Sequence, residues 1–188
     1  MNTKALIGIL LLGSVGILIF LFVHLSGTSG KLSIGTSKAA ACDRKAHADD
    51  CLPDVKYVDT SGKAYTLDNL NGKVVVVNFW ATWCHPCQKE IPDLSKLYDK
   101  YKEKGVVVLG VMADNPGDSE LLNFQSDFEM SYPIVRGNSD LMVAFNYPQA
   151  LPTTFVFDRG GHMVGKPRVG AISPGEISAT LDELVAQN

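Results

Sequence analysis

Apolar residues fall along this chain in one run too long for a strand and several of strand or helix length. Ala5 to Leu25 is apolar but for Ser14, His24 and a few glycines, and at about 1.5 Å per residue such a run crosses a bilayer core of roughly 30 Å. Val74-Val75-Val76-Val77, continued by Asn78-Phe79-Trp80, is a β-branched run that predicts a strand buried on both faces. Val106 to Met112 predicts another. Between them Ile91, Leu94, Leu97, Tyr98 and Tyr101 recur at helical spacing, which predicts a helix from about Pro86 to Lys104 with Gly105 as its C-cap. Pro92 removes one backbone bond inside that helix and is expected to kink it. A helix crossing between the two strands makes them parallel neighbours.

Weaker patterns fill in the remainder. Val55 to Asp59 and Ala64 to Thr66, around the turn Thr60-Ser61-Gly62-Lys63, predict a small hairpin, and Leu67 to Leu70 a helical turn ahead of Asn71-Gly72. Asp118 to Phe128 predicts a helix with Leu121, Leu122, Phe124 and Phe128 apolar. Tyr132 to Val135 reads as extended and Leu141 to Phe145 as a short helical piece. Thr153 to Phe157 and His162 to Val164, across the turn Asp158-Arg159-Gly160-Gly161, predict a second hairpin. Ser173, with Glu176 three residues later, opens a last helix whose buried face is Ile177, Leu181, Leu184 and Val185.

A length of 188 residues and a hydrophobic content of 46% suit one globular domain plus an appendage. The net charge of −3 is small and spread along the chain, so nothing suggests nucleic acid, which calls for a concentrated basic surface. Lys4 is the only charge ahead of the apolar run, the layout of an export signal. Lys31, Lys38, Arg44 and Lys45 follow it and by local count argue for the opposite orientation, but they are more distant. Ala39-Ala40-Ala41 has the composition of a cleavage site yet lies far beyond Leu25, which favours an uncleaved anchor over a removed signal. A lipid-modified Cys42 is poorer for the same reason. The expected division is a membrane anchor at 1–26, a flexible linker rich in Gly, Ser, Thr, Ala and Lys at 27–53, and an α/β domain at 54–188, outside the cytoplasm.

The chemistry is concentrated at Cys84-His85-Pro86-Cys87, directly after the first buried strand. In an α/β sheet the crevice beyond the carboxyl end of a central strand is where chemistry is usually sited. Pro86 suits the first helical turn, where its missing N–H has no partner to lose. Cys84 then sits at a helix N-terminus, where unpaired N–H groups and the macrodipole favour a thiolate, so it is the expected nucleophile. Cys87, three residues on, faces the same way and is the expected resolving thiol. Half a zinc site is a competing reading, but Cys42 and Cys51 do not form a second C-x-x-C. A purely structural bridge is another, and so short a loop gains little from closure.

Neighbouring residues tune that pair. His85 would favour the thiolate when charged, but at a reference pKa of about 6.5 only roughly a quarter is protonated at pH 7. Asn78 cannot exchange a proton, so Glu90, three residues after Cys87, is the candidate acid/base, with a surface glutamate as the alternative. Trp80 and Trp83 are expected to pack the motif and shape its contact surface. Pro152 precedes a strand, where a cis or a trans bond to Leu151 is open. Cys42 and Cys51 are expected to pair as a structural disulfide in an oxidising compartment. A second redox pair that relays electrons, or a metal site with His47, are the alternatives. His24 reads as interfacial, and His47 and His162 as loop residues.

Asn78-Phe79-Trp80-Ala81-Thr82-Trp83-Cys84-His85-Pro86-Cys87, with Glu90, Pro92 and Leu151-Pro152-Thr153-Thr154-Phe155, resembles the membrane-anchored TlpA/ResA-like thioredoxins of bacteria, from about Asp54 to the C-terminus. The resemblance implies a thioredoxin-like α/β fold: a central mixed sheet flanked by helices, with an added N-terminal hairpin. It also implies a cis Pro152 facing the cysteines, where the Leu151 backbone pairs with substrate, and an acid/base role for Glu90. The family does not require the Cys42/Cys51 pair.

The expected function is therefore a thiol-disulfide oxidoreductase with no cofactor and no metal, tethered to the bacterial cytoplasmic membrane on its outer side. It would reduce protein disulfides such as those of apocytochrome c and be re-reduced by a membrane thiol-disulfide donor. Three rivals share the fold: an oxidase or isomerase, a copper-binding module using Cys84, Cys87 and His85, and a peroxidase, which lacks an evident isolated peroxidatic cysteine.

Overall fold

The computed structural model describes residues 41–43 and 48–187. The expected span Ala5 to Leu25, most of the expected linker and His47 lie outside the described residues. Among the described residues no helix is long and apolar enough to cross a membrane.

The valine run forms β3, Val74–Trp80, with all seven residues buried. It pairs in parallel with β4, Val106–Met112, and antiparallel with β6, Thr153–Phe157. With β5, Ile134–Arg136, and β7, Arg168–Val169, these make a mixed five-stranded sheet in the order β5-β4-β3-β6-β7. Two shorter strands, β1 (Tyr57–Val58) and β2 (Ala64–Tyr65), form the expected added hairpin as a separate sheet. The helices are α1 (Leu67–Leu70), α2 (His85–Tyr101), α3 (Asp118–Asp127), α4 (Ser139–Ala144) and α5 (Pro174–Ala186).

Alternation along β3 builds two cores, because successive side chains point to opposite faces of a sheet. Val75, Val77 and Phe79 meet Leu109, Val111, Phe155, Phe157 and Phe145 on one face. There Phe145 packs edge-on against Phe79 and Phe155, with centroids 5.0 and 4.8 Å away. Val74 and Val76 meet Val106 and Val108, Leu94, Leu97 and Tyr101 of α2, and Ile177, Leu181 and Leu184 of α5 on the other. Asn78 and Trp80 continue this second face at the carboxyl end of the strand.

The helix after the motif runs as expected through Pro92 to Lys104, its last turn, Lys102–Lys104, being 3₁₀ and closed by Gly105, φ +84°. Other expectations are corrected. The second hairpin is longer than expected: Met163 only bridges Phe157, and β6 finds its paired strand further on, at Arg168–Val169. Leu122 is exposed, so Leu121 carries the buried face of α3. The end of the segment expected as a linker belongs to the folded unit. Cys42 and Cys51 are joined by a disulfide and are 7% and 2% exposed. The Cys42 N–H donates to the Gly160 carbonyl and the Leu52 N–H to that of Gly161. His162, expected as a loop residue, pairs with Cys51 as a β-bridge.

The Cys42–Cys51 bridge closes a loop of sequence separation 9, for which chain entropy gives about 2.5 kcal/mol. The double variant Cys42→Ser/Cys51→Ser is expected to lose about that much in denaturant unfolding of the oxidised protein while its Cys84–Cys87 chemistry is retained.

Candidate functional site

Strand β3 ends at Trp80, and the chain then turns sharply into α2: the Cys84 N–H donates to the Ala81 carbonyl at 3.1 Å. Cys84 is the N-cap of α2, with extended backbone and Pro86 in the first turn, and its sulfur accepts from the Cys87 N–H at 3.3 Å. That is the placement at a helix N-terminus that the spacing predicted. Cys84 and Cys87 form a disulfide, with Cα atoms 5.2 Å apart. Cys87 is fully buried and Cys84 is 3% exposed, so an incoming partner meets Cys84 first.

The contact surface around the pair is split between the two tryptophans. Trp80 is buried and stacks on Phe124 at 5.3 Å, which fixes the carboxyl end of β3. Trp83 is 71% exposed, and His85 is also exposed. The Leu151–Pro152 bond is cis. The pairing of Phe79 with Thr153 sets Pro152 level with Trp80, and Leu151 packs against the cluster that holds Cys84 and Cys87. The Pro152 carbonyl accepts from the Gly170 N–H, tying this segment to the end of β7.

Glu90 is not a surface residue: it is 3% exposed. Its Oε1 accepts from Asn78 Nδ2 at 2.8 Å and its Oε2 from the Ile172 N–H at 2.9 Å. Burial holds its pKa above the usual carboxylate range, and the two donors oppose this only in part. Cys87 and Glu90 stand at i and i+3 on α2, neighbours on one helix face.

Sequence reasoning missed Asp114 and Thr154. Asp114, just past β4, accepts from both the N–H (3.0 Å) and the hydroxyl of Thr82, and Gln88 Nε2 donates to the Thr82 carbonyl at 2.6 Å. These bonds hold the Ala81-Thr82-Trp83 loop from both sides. Asp114 carries no local signal, because only the parallel pairing of β3 and β4 brings it to that loop. Thr154 Oγ1 accepts from Asn78 Nδ2 at 2.9 Å. Its alternation with Thr153 and Phe155, all in one strand, was the signal that it faces α2.

Cys42 and Cys51 lie at the other end of the sheet. They bond to the Gly160–His162 turn beyond Phe157, which pairs with Val75 near the start of β3. At about 3.3 Å per residue β3 is about 20 Å long, and disulfide exchange needs sulfur-to-sulfur contact. That separation excludes direct exchange between this pair and Cys84 within one molecule, and the two sulfurs are bonded to each other.

The raised Glu90 pKa sets a sign for stability against pH. Between the ordinary value of 4.5 and the raised folded value the native state binds more protons than the unfolded chain, so stability falls as pH climbs through that window. Melting of the oxidised protein is expected to show this fall, and Glu90→Gln to flatten it.

Residues 48–165 match the AhpC/TSA family model. A relative from Bacillus cereus called thiol-disulfide oxidoreductase ResA is 37% identical over 114 residues, covering 61% of this chain and 65% of that one. This chain thus spans just under two thirds of that relative. A relative of the same name from Geobacillus thermodenitrificans is 33% identical over 132 residues, 70% of this chain and 75% of that one. A crystal structure of a thioredoxin-family thiol:disulfide interchange protein from Chlorobium tepidum superposes with a TM-score of 0.65 at 28% identity, covering 72% of this chain and 95% of that one. With the mixed sheet, the capped cysteine pair and the cis Pro152 already in place, these matches make the chain a member of the thioredoxin-like AhpC/TSA family.

Proposed function

We propose that this protein is a thiol-disulfide oxidoreductase that reduces disulfides of specific protein clients. The observation that carries the reading is the Cys84–Cys87 disulfide at the N-terminus of α2 with a buried carboxyl one helical turn behind it. The relatives named thiol-disulfide oxidoreductase ResA support it.

In the reduced protein the Cys84 thiolate attacks one sulfur of a client disulfide. That S–S bond breaks, a mixed disulfide forms, and the other client sulfur leaves as a thiolate that takes up a proton. The Cys87 thiol gives its proton to Glu90, and the resulting thiolate attacks the Cys84 sulfur. The second client sulfur leaves as a thiolate and takes up the proton that Glu90 returns, and two electrons have passed from the cysteine pair to the client disulfide. Trp83, His85 and the Leu151–Pro152 segment form the surface that the client meets, with the Leu151 backbone as its strand-like partner.

The apolar run Ala5 to Leu25 supports a membrane tether, with the domain on the outer side of the bacterial cytoplasmic membrane. A membrane thiol-disulfide donor would restore the dithiol, and apocytochrome c is the proposed client class.

Two measurements test this. Cys87→Ser in cells is expected to accumulate a client covalently bound to Cys84, released by dithiothreitol; Cys84→Ser should capture nothing. The Cys84/Cys87 potential is expected nearer about −270 mV than about −120 mV, the span between a reducing and an oxidising thioredoxin-fold protein. A value near the upper end assigns an oxidase and defeats the reductase.

A further inference from the structure

Asn78, Glu90 and Thr154 are three polar side chains 0%, 3% and 1% exposed, closed in by β3, α2 and β6. The Asn78 amide uses only one of its ends. Nδ2 donates to Glu90 Oε1 at 2.8 Å and to Thr154 Oγ1 at 2.9 Å, while Oδ1 is buried without a hydrogen-bond partner among the described residues. A buried polar atom without a partner carries a desolvation penalty of about 1–3 kcal/mol and calls for an explanation.

The explanation lies in the second protonation state of Glu90. An ionised carboxylate only accepts, so it requires the N–H₂ end of the amide. A protonated carboxyl donates, and it requires the oxygen end. If the amide turns end for end, Oδ1 takes the place of Nδ2 and accepts from the Glu90 carboxyl O–H and from the Thr154 hydroxyl. Two bonds are exchanged for two, and among the described residues the far end of the amide has no partner to lose, while it then carries the N–H₂ group. Thr154 suits both states because a hydroxyl both accepts and donates. The Ile172 N–H holds Oε2 throughout.

We propose that the Asn78 amide and the Thr154 hydroxyl form a relay that turns with the proton on Glu90, so that this residue takes and returns a proton without movement of the backbone. Asn78 and Thr154 are thus positioning residues for the exchange. The inference rests on the acid/base reading of Glu90. Among the described residues the other titratable groups facing Glu90 are Cys87 on its own helix and Tyr132 ahead of β5, whose buried hydroxyl has no partner there and whose pKa burial and the Glu90 charge push up. Behind Thr154 and Ile172 lies a cavity of about 220 Å³, also lined by Lys166, Arg168 and Glu176.

The test uses isotope-labelled, oxidised full-length protein, followed by NMR as a function of pH. The Glu90 carboxyl carbon and the Asn78 side-chain N–H₂ signals are expected to move with one shared midpoint in the wild type and in Thr154→Ser. In Thr154→Val the ionised state leaves an amide N–H unbonded, so the midpoint should move up and disulfide reduction at pH 7 slow by about tenfold. Asn78 signals that stay fixed while Glu90 titrates would overturn the relay, and so would a Thr154→Val protein with the wild-type midpoint. If Thr154→Val does not fold, the wild-type and Thr154→Ser titrations decide alone. Wild-type activity in Glu90→Gln would defeat the acid/base reading instead, which the oxidised-state titration does not depend on.

Discussion

Backbone pairing on both edges of β3 is the constraint from which the site follows. Parallel pairing with β4 carries Asp114 to the loop before Cys84, and antiparallel pairing with β6 carries Pro152 and Thr154 to the same end. Residues separated by 32 and 76 positions in the chain become hydrogen-bond partners of Thr82 and Asn78. A slip of β3 by one residue against its two neighbours would turn Asn78 toward the aromatic core around Phe145 and leave Glu90 facing an apolar side chain. The four valines at the start of the strand hold that register by filling both cores at once.

Against that frame, burying Glu90 is costly, and the fold offsets the cost with donors rather than with a cation. Asn78 and the Ile172 N–H satisfy the carboxylate oxygens, yet burial outweighs them and keeps its pKa above the usual carboxylate range. A lysine or arginine beside it would have stabilised the charged form and drawn its pKa down. A neutral amide supports both states.

The sequence was most readable where one element carries its own signal. The valine run, the helical spacing of Ile91 to Tyr101 and the Ser173 cap each specify local structure, and the Cys-His-Pro-Cys step marks the site. The family resemblance, rather than any local rule, supplied the cis Pro152. Contacts made only through tertiary structure were not readable: Asp114 looks like any loop acid, and Thr154 like any strand threonine. Cys42 and Cys51 sit in a polar, linker-like stretch, so the domain boundary was set too late. What places them in the fold is pairing with Gly160 to His162, more than a hundred residues away.

That pairing has a consequence for a protein that carries two disulfides. Every copy holds one of them about 20 Å along the sheet from the other. Thiolate attack needs access to one sulfur, and access depends on exposure. Cys42 and Cys51 are almost wholly covered, and their backbone bonds to the Gly160–His162 turn hold this bridge within the folded domain, at the end of the sheet away from Cys84.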